Sequence, residues 1–97
     1  MKKMELKRVF GTTLKRIRVA KGLTQEDFAL VSSRTYLSSL ERGLKCPTIE
    51  KLDQLADVLK IHPVTLLLAA YAEQNPPEAA SVLLETVKTE LAALGYR

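Results

Sequence analysis

Small hydroxyl side chains and an arginine are concentrated in one short stretch of this 97-residue sequence. From Gly22 to Gly43 the chain reads GLTQEDFALVSSRTYLSSLERG, a pattern that indicates two short helices joined by a tight turn. Hydroxyl and guanidinium groups on one face of a helix form hydrogen bonds, but they supply neither a metal site nor a paired nucleophile and base. The pattern therefore favours recognition of another polar surface over catalysis. A helix pair this small needs the rest of the chain in order to fold.

Basic residues are concentrated in the first half of the chain. Residues 1–45 hold eleven Lys/Arg and four Asp/Glu, a balance of +7, whereas residues 46–97 hold four and seven, a balance of −3. A basic run is usually a solvated helix face, but beside the helix pair it favours nucleic acid, whose phosphates supply most non-specific affinity. The basic residues in and before the first predicted helix are Lys2, Lys3, Lys7, Arg8, Lys15, Arg16, Arg18 and Lys21.

Apolar residues recur at helical spacing along the chain, and no segment shows the alternation of a strand, so the expected fold is all-α. Gly11 inside the first helix costs up to about 1 kcal/mol relative to alanine, which indicates close packing there. The second helix should turn Phe28 and Ala29 inward, and the leucine-rich fifth helix should be largely buried. The six predicted helices are Leu6–Ala20, a second after Thr24, Arg34–Arg42, a fourth after Thr48, a fifth from Pro63, and Pro77–Leu94.

Several classes of function are disfavoured by what the sequence contains. The longest apolar run, Val64 to Ala72, is about half the length needed to cross a membrane. Cys46 is the single cysteine and His62 the single histidine, so neither a disulfide framework nor a metal cluster is expected. His62 precedes a proline and is interpreted as a helix cap. We expect a cytoplasmic protein, without a signal peptide, that is not an enzyme, carries no cofactor and does not associate with a membrane.

Three short motifs in fixed order carry a resemblance to a known family. They are LTQE at residues 23–26, YLSSLERG at residues 36–43, and Pro47-Thr48 followed by Leu52. Over residues 16–68 the chain resembles the Cro/C1-type helix-turn-helix family, which includes phage repressors and the xenobiotic-response-element type of bacterial regulator. The resemblance implies a five-helix, lambda-repressor-like DNA-binding fold that is normally used as a two-fold dimer on a palindromic site.

Candidate base-reading residues lie on the face of the third predicted helix that points away from Leu37 and Leu40. In helix-turn-helix docking, the N-terminal part of this helix meets base edges in the major groove. An arginine there can donate two hydrogen bonds to the O6 and N7 atoms of a guanine, but it can also pair with a nearby glutamate or a phosphate. The predicted base-reading residues are Arg34, Thr35, Ser38 and Ser39.

A second set of residues is expected to contact DNA phosphates. The resemblance assigns Gln25 to a phosphate and Arg18 and Glu41 to an internal salt bridge. Ser33 is interpreted first as a helix N-cap, and Tyr36 first as a partly buried packing residue whose hydroxyl could reach a phosphate. The predicted phosphate contacts are Gln25, Ser33, Tyr36, Arg42 and Lys45.

The turn between the two helices of the pair departs from the family pattern. The family usually places about two more residues, commonly including glycine, between the alanine of the second helix and the serine of the third. Here the residues from Ala29 to Ser33 form a shorter, glycine-free connection. We therefore expect a second helix that ends early or a tighter turn, either of which would change the aim of the third helix.

The last predicted helix follows a proline-containing linker and carries its own apolar stripe. The expected organisation is a DNA-binding domain at residues 1–72, a linker at 73–77 and a C-terminal helix at 78–97. The stripe must be buried, either against the preceding helix or against a second copy of the chain, and we expect a homodimer. The predicted dimerisation residues are Leu83, Leu84, Val87, Leu91 and Leu94.

Two functions fit this sequence. The first is a transcriptional regulator that binds double-stranded DNA as a homodimer and represses by occupying a palindromic operator. The alternative is an antitoxin-like module whose last helix binds a partner protein and which also binds its own promoter. An enzyme is poorly supported, because no Ser/His/Asp set, carboxylate pair or glycine-rich phosphate loop is present.

Overall fold

The fold is all-helical in a computed structural model that describes residues 5–74 and 77–97. The two lysines at positions 2 and 3, and residues 75 and 76 in the centre of the predicted linker, lie outside the described residues. The described part contains five α-helices, one short 3₁₀ helix and no strand. These elements are α1 (Glu5–Ala20), the 3₁₀ helix (Gln25–Phe28), α2 (Arg34–Glu41), α3 (Ile49–Leu59), α4 (Pro63–Ala72) and α5 (Ala80–Ala93).

The helix ends are set by local hydrogen bonds that the sequence encodes. The hydroxyl of Ser33 accepts a hydrogen bond from the N–H of Tyr36 at 3.0 Å, and the hydroxyl of Thr48 caps α3 in the same way. The expected role of His62 as a cap is confirmed, because its Nδ1 accepts from the N–H of Val64. Gly43 follows α2 with φ +76°, a left-handed conformation that lets the chain reverse direction there.

One hydrophobic core lies between α1, the 3₁₀ helix, α2, α3 and α4. Helix α1 packs against both α2 and α4, and the 3₁₀ helix packs against α2 and α3. Gly11 allows α1 to approach the end of α2 closely. A Cβ atom at this position would lie 2.8 Å from the carbonyl oxygen of Glu41 and closer still to that of Leu40. The fully buried large side chains are Phe28, Leu14, Leu37, Leu40, Leu55, Leu59 and Leu66.

Two sequence predictions about burial are wrong. Ala29 is exposed, because the second predicted helix is a single 3₁₀ turn that ends at Phe28 and does not carry the next residue inward. Helix α4 is not largely buried: only Leu66 and Ala70 are, whereas Val64 and Tyr71 are exposed. The core covers one side of α4, and its other side lies against α5, which covers it only in part.

The C-terminal helix α5 packs against α4 but has no buried residue. Its side chains and those of α4 border an apolar groove of about 290 Å³. In the described ranges no single helix is long and apolar enough to cross a membrane. Only α3 and α4 together reach that length and composition, and these two helices are bent by 100° relative to each other.

Candidate nucleic-acid interface

The first turn of α2 presents polar side chains to solvent. Arg34 and Thr35 are exposed, and Ser33 precedes them as the N-cap with its side chain on the surface. The inner face of the helix is held by Leu37 and Leu40, both of which are fully buried. Because two leucines one turn apart fix the rotation of the helix about its axis, the exposed first turn has a defined direction.

Arg34 forms a weak ion pair with Glu26 of the 3₁₀ helix. The Nη1 atom of Arg34 lies 3.5 Å from the Oε2 atom of Glu26, and both side chains are 73% exposed. Exposed ion pairs of this kind contribute little to the stability of the fold. Exchange of Glu26 for another hydrogen-bond acceptor therefore costs Arg34 little free energy. The pairing with glutamate that the sequence left open is therefore present, and it leaves most of the guanidinium donors available.

The predicted base-reading face includes one residue that the structure places elsewhere. Ser38 is half-buried and Ser39 is only 8% exposed. The carbonyl oxygen of Ser39 accepts a hydrogen bond from the N–H of Leu44 at 2.9 Å, where the chain reverses after Gly43. The placement of Ser39 on an exposed face is therefore wrong, since the end of α2 is buried on more than one side and Ser39, Leu40 and Glu41 are all buried there.

Tyr36 is a half-buried packing residue. It lies against the core, and the Nζ atom of Lys51 is 5.7 Å from the centre of its ring. The same ammonium donates a hydrogen bond to the carbonyl oxygen of Val31 in the turn before α2. Lys51 thus ties α3 to the turn and to α2, which stabilises the short connection between the two helices of the pair.

A buried ion pair connects α1 to α2. The Nε atom of Arg18 donates to Glu41 Oε2 at 2.6 Å, and its Nη2 atom donates to Glu41 Oε1 at 3.0 Å. These hydrogen bonds raise the pKa of Arg18 above its ordinary value, although burial opposes the shift. Gln25 Nε2 donates to the same Oε1 atom at 3.1 Å, so the amide of Gln25 is oriented by the pair.

A polar cavity opens between α1, the 3₁₀ helix and α2. Its volume is about 230 Å³, and the ion pair of Arg18 and Glu41 lies within its lining. Among the predicted contact residues, the structure brings Gln25, Ser38 and Arg42 together here. The predicted phosphate contact Lys45 is also exposed, in the segment that follows α2, but it does not line the cavity.

The family is decided by comparison with known proteins. Residues 14–66, which contain the buried ion pair and the exposed first turn of α2, match the HTH_3 helix-turn-helix family. The chain belongs to the Cro/C1-type helix-turn-helix family. It is therefore a DNA-binding transcriptional regulator of that family, which is not a class of enzymes.

Relatives of known sequence and structure agree with this assignment. The uncharacterized HTH-type transcriptional regulator y4dJ of Sinorhizobium fredii is 42% identical over 66 residues, which are 66% of this chain and 86% of that protein. The restriction-modification controller protein C.AhdI of Aeromonas hydrophila has a TM-score of 0.57 at 36% identity and covers 61% of this chain and 92% of its own.

Two crystal structures of the clp gene regulator ClgR of Corynebacterium glutamicum are also similar to this helix-turn-helix regulator. One has a TM-score of 0.62 at 33% identity and covers 67% of this chain and 87% of its own. The other has a TM-score of 0.63 at 30% identity and covers 92% of this chain and 88% of its own. A match over 92% of 97 residues omits fewer residues than the 14 of α5, so this likeness extends into the C-terminal helix.

Two lysines of this regulator's site were missed by sequence reasoning. Lys15 lines the polar cavity, and Lys51 holds the turn. Lys15 could have been found, since it lies three residues before Arg18 and therefore on the same face of α1, next to α2. Lys51 carried no such signal, because its partners, Val31 in the turn before α2 and Tyr36 on α2, are distant in sequence.

Proposed function

We propose that this protein represses transcription by occupying a palindromic operator as a homodimer, with α2 in the major groove. The observation that carries the proposal is the exposed first turn of α2, held in place by two buried leucines. The eight residues of α2 rise about 12 Å, which is close to the width of the major groove of B-DNA. Repression by occupancy requires only tight and selective binding.

Arg34 and Thr35 are the base-reading residues in this proposal. A guanidinium can donate two hydrogen bonds to one guanine, and a threonine can contact a thymine methyl group or a polar base edge. Ser39 is omitted because it is buried, whereas Ser33, Tyr36, Gln25, Arg42 and Lys45 are assigned to the phosphates that border the groove.

The uncovered apolar surface of α4 and α5 supports a homodimer. Leu83 and Val87 are half-buried beside α4, whereas Leu84, Leu91 and Leu94 remain exposed, the last of these at 72%. Exposed leucines on one face of a helix indicate a further contact, and a second copy offers the same face. A two-fold dimer would place two recognition helices about 34 Å apart, one turn of DNA.

The same apolar surface keeps one alternative open. In an antitoxin-like protein, a different polypeptide would cover α4 and α5 while α2 still bound the promoter. The two functions differ in the state of the isolated protein, because only the homodimer needs no second polypeptide. A dimer in pure solution favours the repressor, and a monomer that dimerises only with a partner favours the alternative.

Replacement of Arg34 by alanine tests the base-reading role. We expect Arg34→Ala to weaken binding to a preferred duplex by about 1–3 kcal/mol and to leave binding to a scrambled duplex nearly unchanged. Fluorescence anisotropy titrations on both duplexes measure this difference, with Arg97→Ala as the control for loss of one positive charge. Equal losses on both duplexes would assign Arg34 to a phosphate and contradict base reading.

A further inference from the structure

The polar cavity between α1, the 3₁₀ helix and α2 has an excess of positive charge. Its lining contains the cations of Lys15, Arg18 and Arg42 and the single anion of Glu41. Glu41 is neutralised by its buried ion pair with Arg18. Lys15 and Arg42 are exposed and form no ion pair within residues 5–74 and 77–97, so the lining carries two uncompensated positive charges.

We propose that this cavity binds one phosphate group of the DNA backbone, and that Lys15 of α1 is a principal phosphate-binding residue. The inference rests on the proposed function, because it requires α2 to lie in the major groove. It extends the interface from the helix pair to α1, and it moves Ser38 from base reading to phosphate binding.

The hydrogen-bonding groups of the cavity match a phosphate diester, which presents only acceptors to a protein. The ammonium of Lys15, the guanidinium of Arg42 and the hydroxyl of Ser38 can all donate. The Nε2 atom of Gln25 uses one N–H on Glu41 and retains a second. A base edge presents donors as well as acceptors, so a lining this rich in donors suits the backbone better.

The position of the cavity along α2 also favours the backbone. Arg34 begins the helix, and Ser38 and Arg42 follow it by four and eight residues, or about 6 and 12 Å along the axis. If the first turn reads bases in a groove about 12 Å wide, groups one to two turns further along reach the phosphates at its edge. Lys15, on α1, lines the same cavity as Ser38 and Arg42.

The buried ion pair makes the cavity suitable for an anion. An unpaired carboxylate in the lining would repel a phosphate, but both Glu41 oxygens accept hydrogen bonds from Arg18. The ion pair therefore orients the side-chain amide of Gln25 before DNA binds. A preorganised site loses less conformational entropy on binding than one whose side chains must first be ordered.

A charge-removal variant of Lys15 tests the proposal on a duplex of arbitrary sequence. We expect Lys15→Met to weaken binding roughly tenfold at 0.1 M salt and to flatten the slope of log K against log salt by about 0.9 per bound protomer. Lys15→Arg should retain the wild-type slope. Lys60→Met removes the same charge outside the cavity and should also retain it, and circular dichroism should show the same helix content in all variants.

Neutral backbone substitutions identify the phosphate itself. Methylphosphonates are placed one at a time along a bound duplex, and the wild-type protein should lose affinity where the phosphate seated in the cavity is neutralised. Lys15→Met should be insensitive to that substitution and remain sensitive to others. If Lys15→Met and Lys60→Met share the wild-type slope while the wild type binds DNA, the phosphate site is wrong and the proposed function survives. If the wild type binds no duplex, both are wrong.

Discussion

The buried ion pair of Arg18 and Glu41 determines where the amide of Gln25 points. Three donors converge on the two carboxylate oxygens of Glu41, two from Arg18 and one from Gln25. The raised pKa of Arg18 means that its stabilising contribution is fully present below the ordinary arginine pKa and is lost only above it. The pair is therefore intact across the pH range in which DNA binding is measured.

Removal of the arginine from this pair should destabilise the fold. We expect Arg18→Met to lower the free energy of unfolding by about 3–5 kcal/mol, because Glu41 would remain buried without its cation. Urea unfolding at a fixed protein concentration measures this change. Arg16→Met is the matched control: the ion pair of Arg16 and Glu73 is exposed on both sides, so its loss should change the free energy of unfolding far less than the loss of Arg18. Similar effects of the two variants would contradict a structural role for Arg18.

Individual residues show which features of the site could be predicted from the sequence. The caps at Ser33 and His62 and the Arg18–Glu41 pair were all predicted, because cap rules and a family motif are local patterns. The burial of Ser39 was not, because the end of α2 is buried at three consecutive residues, Ser39, Leu40 and Glu41, and a single apolar stripe does not predict this. Burial at a helix end depends on the following segment, which helical periodicity does not describe.

The four-residue 3₁₀ helix accommodates the short connection between the two helices of the pair. Thr24 precedes it as the N-cap, and the N–H of Thr24 donates to Asp27 Oδ2 at 2.7 Å. Phe28, the last residue of the 3₁₀ helix, is fully buried. The carbonyl oxygen of Phe28 then accepts from the N–H groups of Val31 and Ser32, both at 2.9 Å. The prediction of an early end to the second helix is confirmed, and Phe28 still anchors this element in the core.

The exposed face of α5 gives a prediction at the level of elements. Leu84 is 47% exposed in one protomer, so Leu84→Glu should leave the protomer folded while placing a charge in the interface between copies. We expect a dimer for the wild type and a monomer for Leu84→Glu by light scattering at micromolar concentration. Thr86→Glu introduces the same charge on an exposed neighbouring position and should remain dimeric.

Two outcomes would contradict this use of α5. A wild-type protein that is monomeric at micromolar concentration, and whose state is unchanged by deletion of residues 79–97, would remove α5 from any interface between copies. A Leu84→Glu variant that remains dimeric would place the interface on a surface other than the apolar face of α5.

Helix α4 illustrates why the sequence could not assign every apolar residue to the core. Its three consecutive leucines predict burial on all sides, yet Val64, Leu67 and Tyr71 border the groove with α5. Periodicity shows which residues need cover, but it does not show whether that cover comes from the same chain. The predicted helices Leu6–Ala20, Arg34–Arg42 and Pro77–Leu94 needed only local signals, and their ends lie within three residues of the observed ends of α1, α2 and α5.

At the scale of the whole molecule, charge is divided unequally between the two halves of the sequence, as the proposed binding of DNA through α2 would require. The basic half of the sequence contributes α1 and α2, and the acidic half contributes α3, α4 and α5. Cations on the DNA side increase the rate of encounter and the non-specific affinity, and acidic groups elsewhere limit binding through other faces. The apolar groove lies on α4 and α5, within the acidic half.

Selection of bound sequences from random duplex DNA tests the central claim most directly. For the wild type, we predict an inverted repeat whose half-sites are separated by about one helical turn, 10–10.5 base pairs. A parallel selection with Arg34→Ala should retain the repeat and lose a guanine preference at one position in each half-site. No enriched consensus, or an enriched site without two-fold symmetry, would contradict recognition by a homodimer with α2 in the major groove.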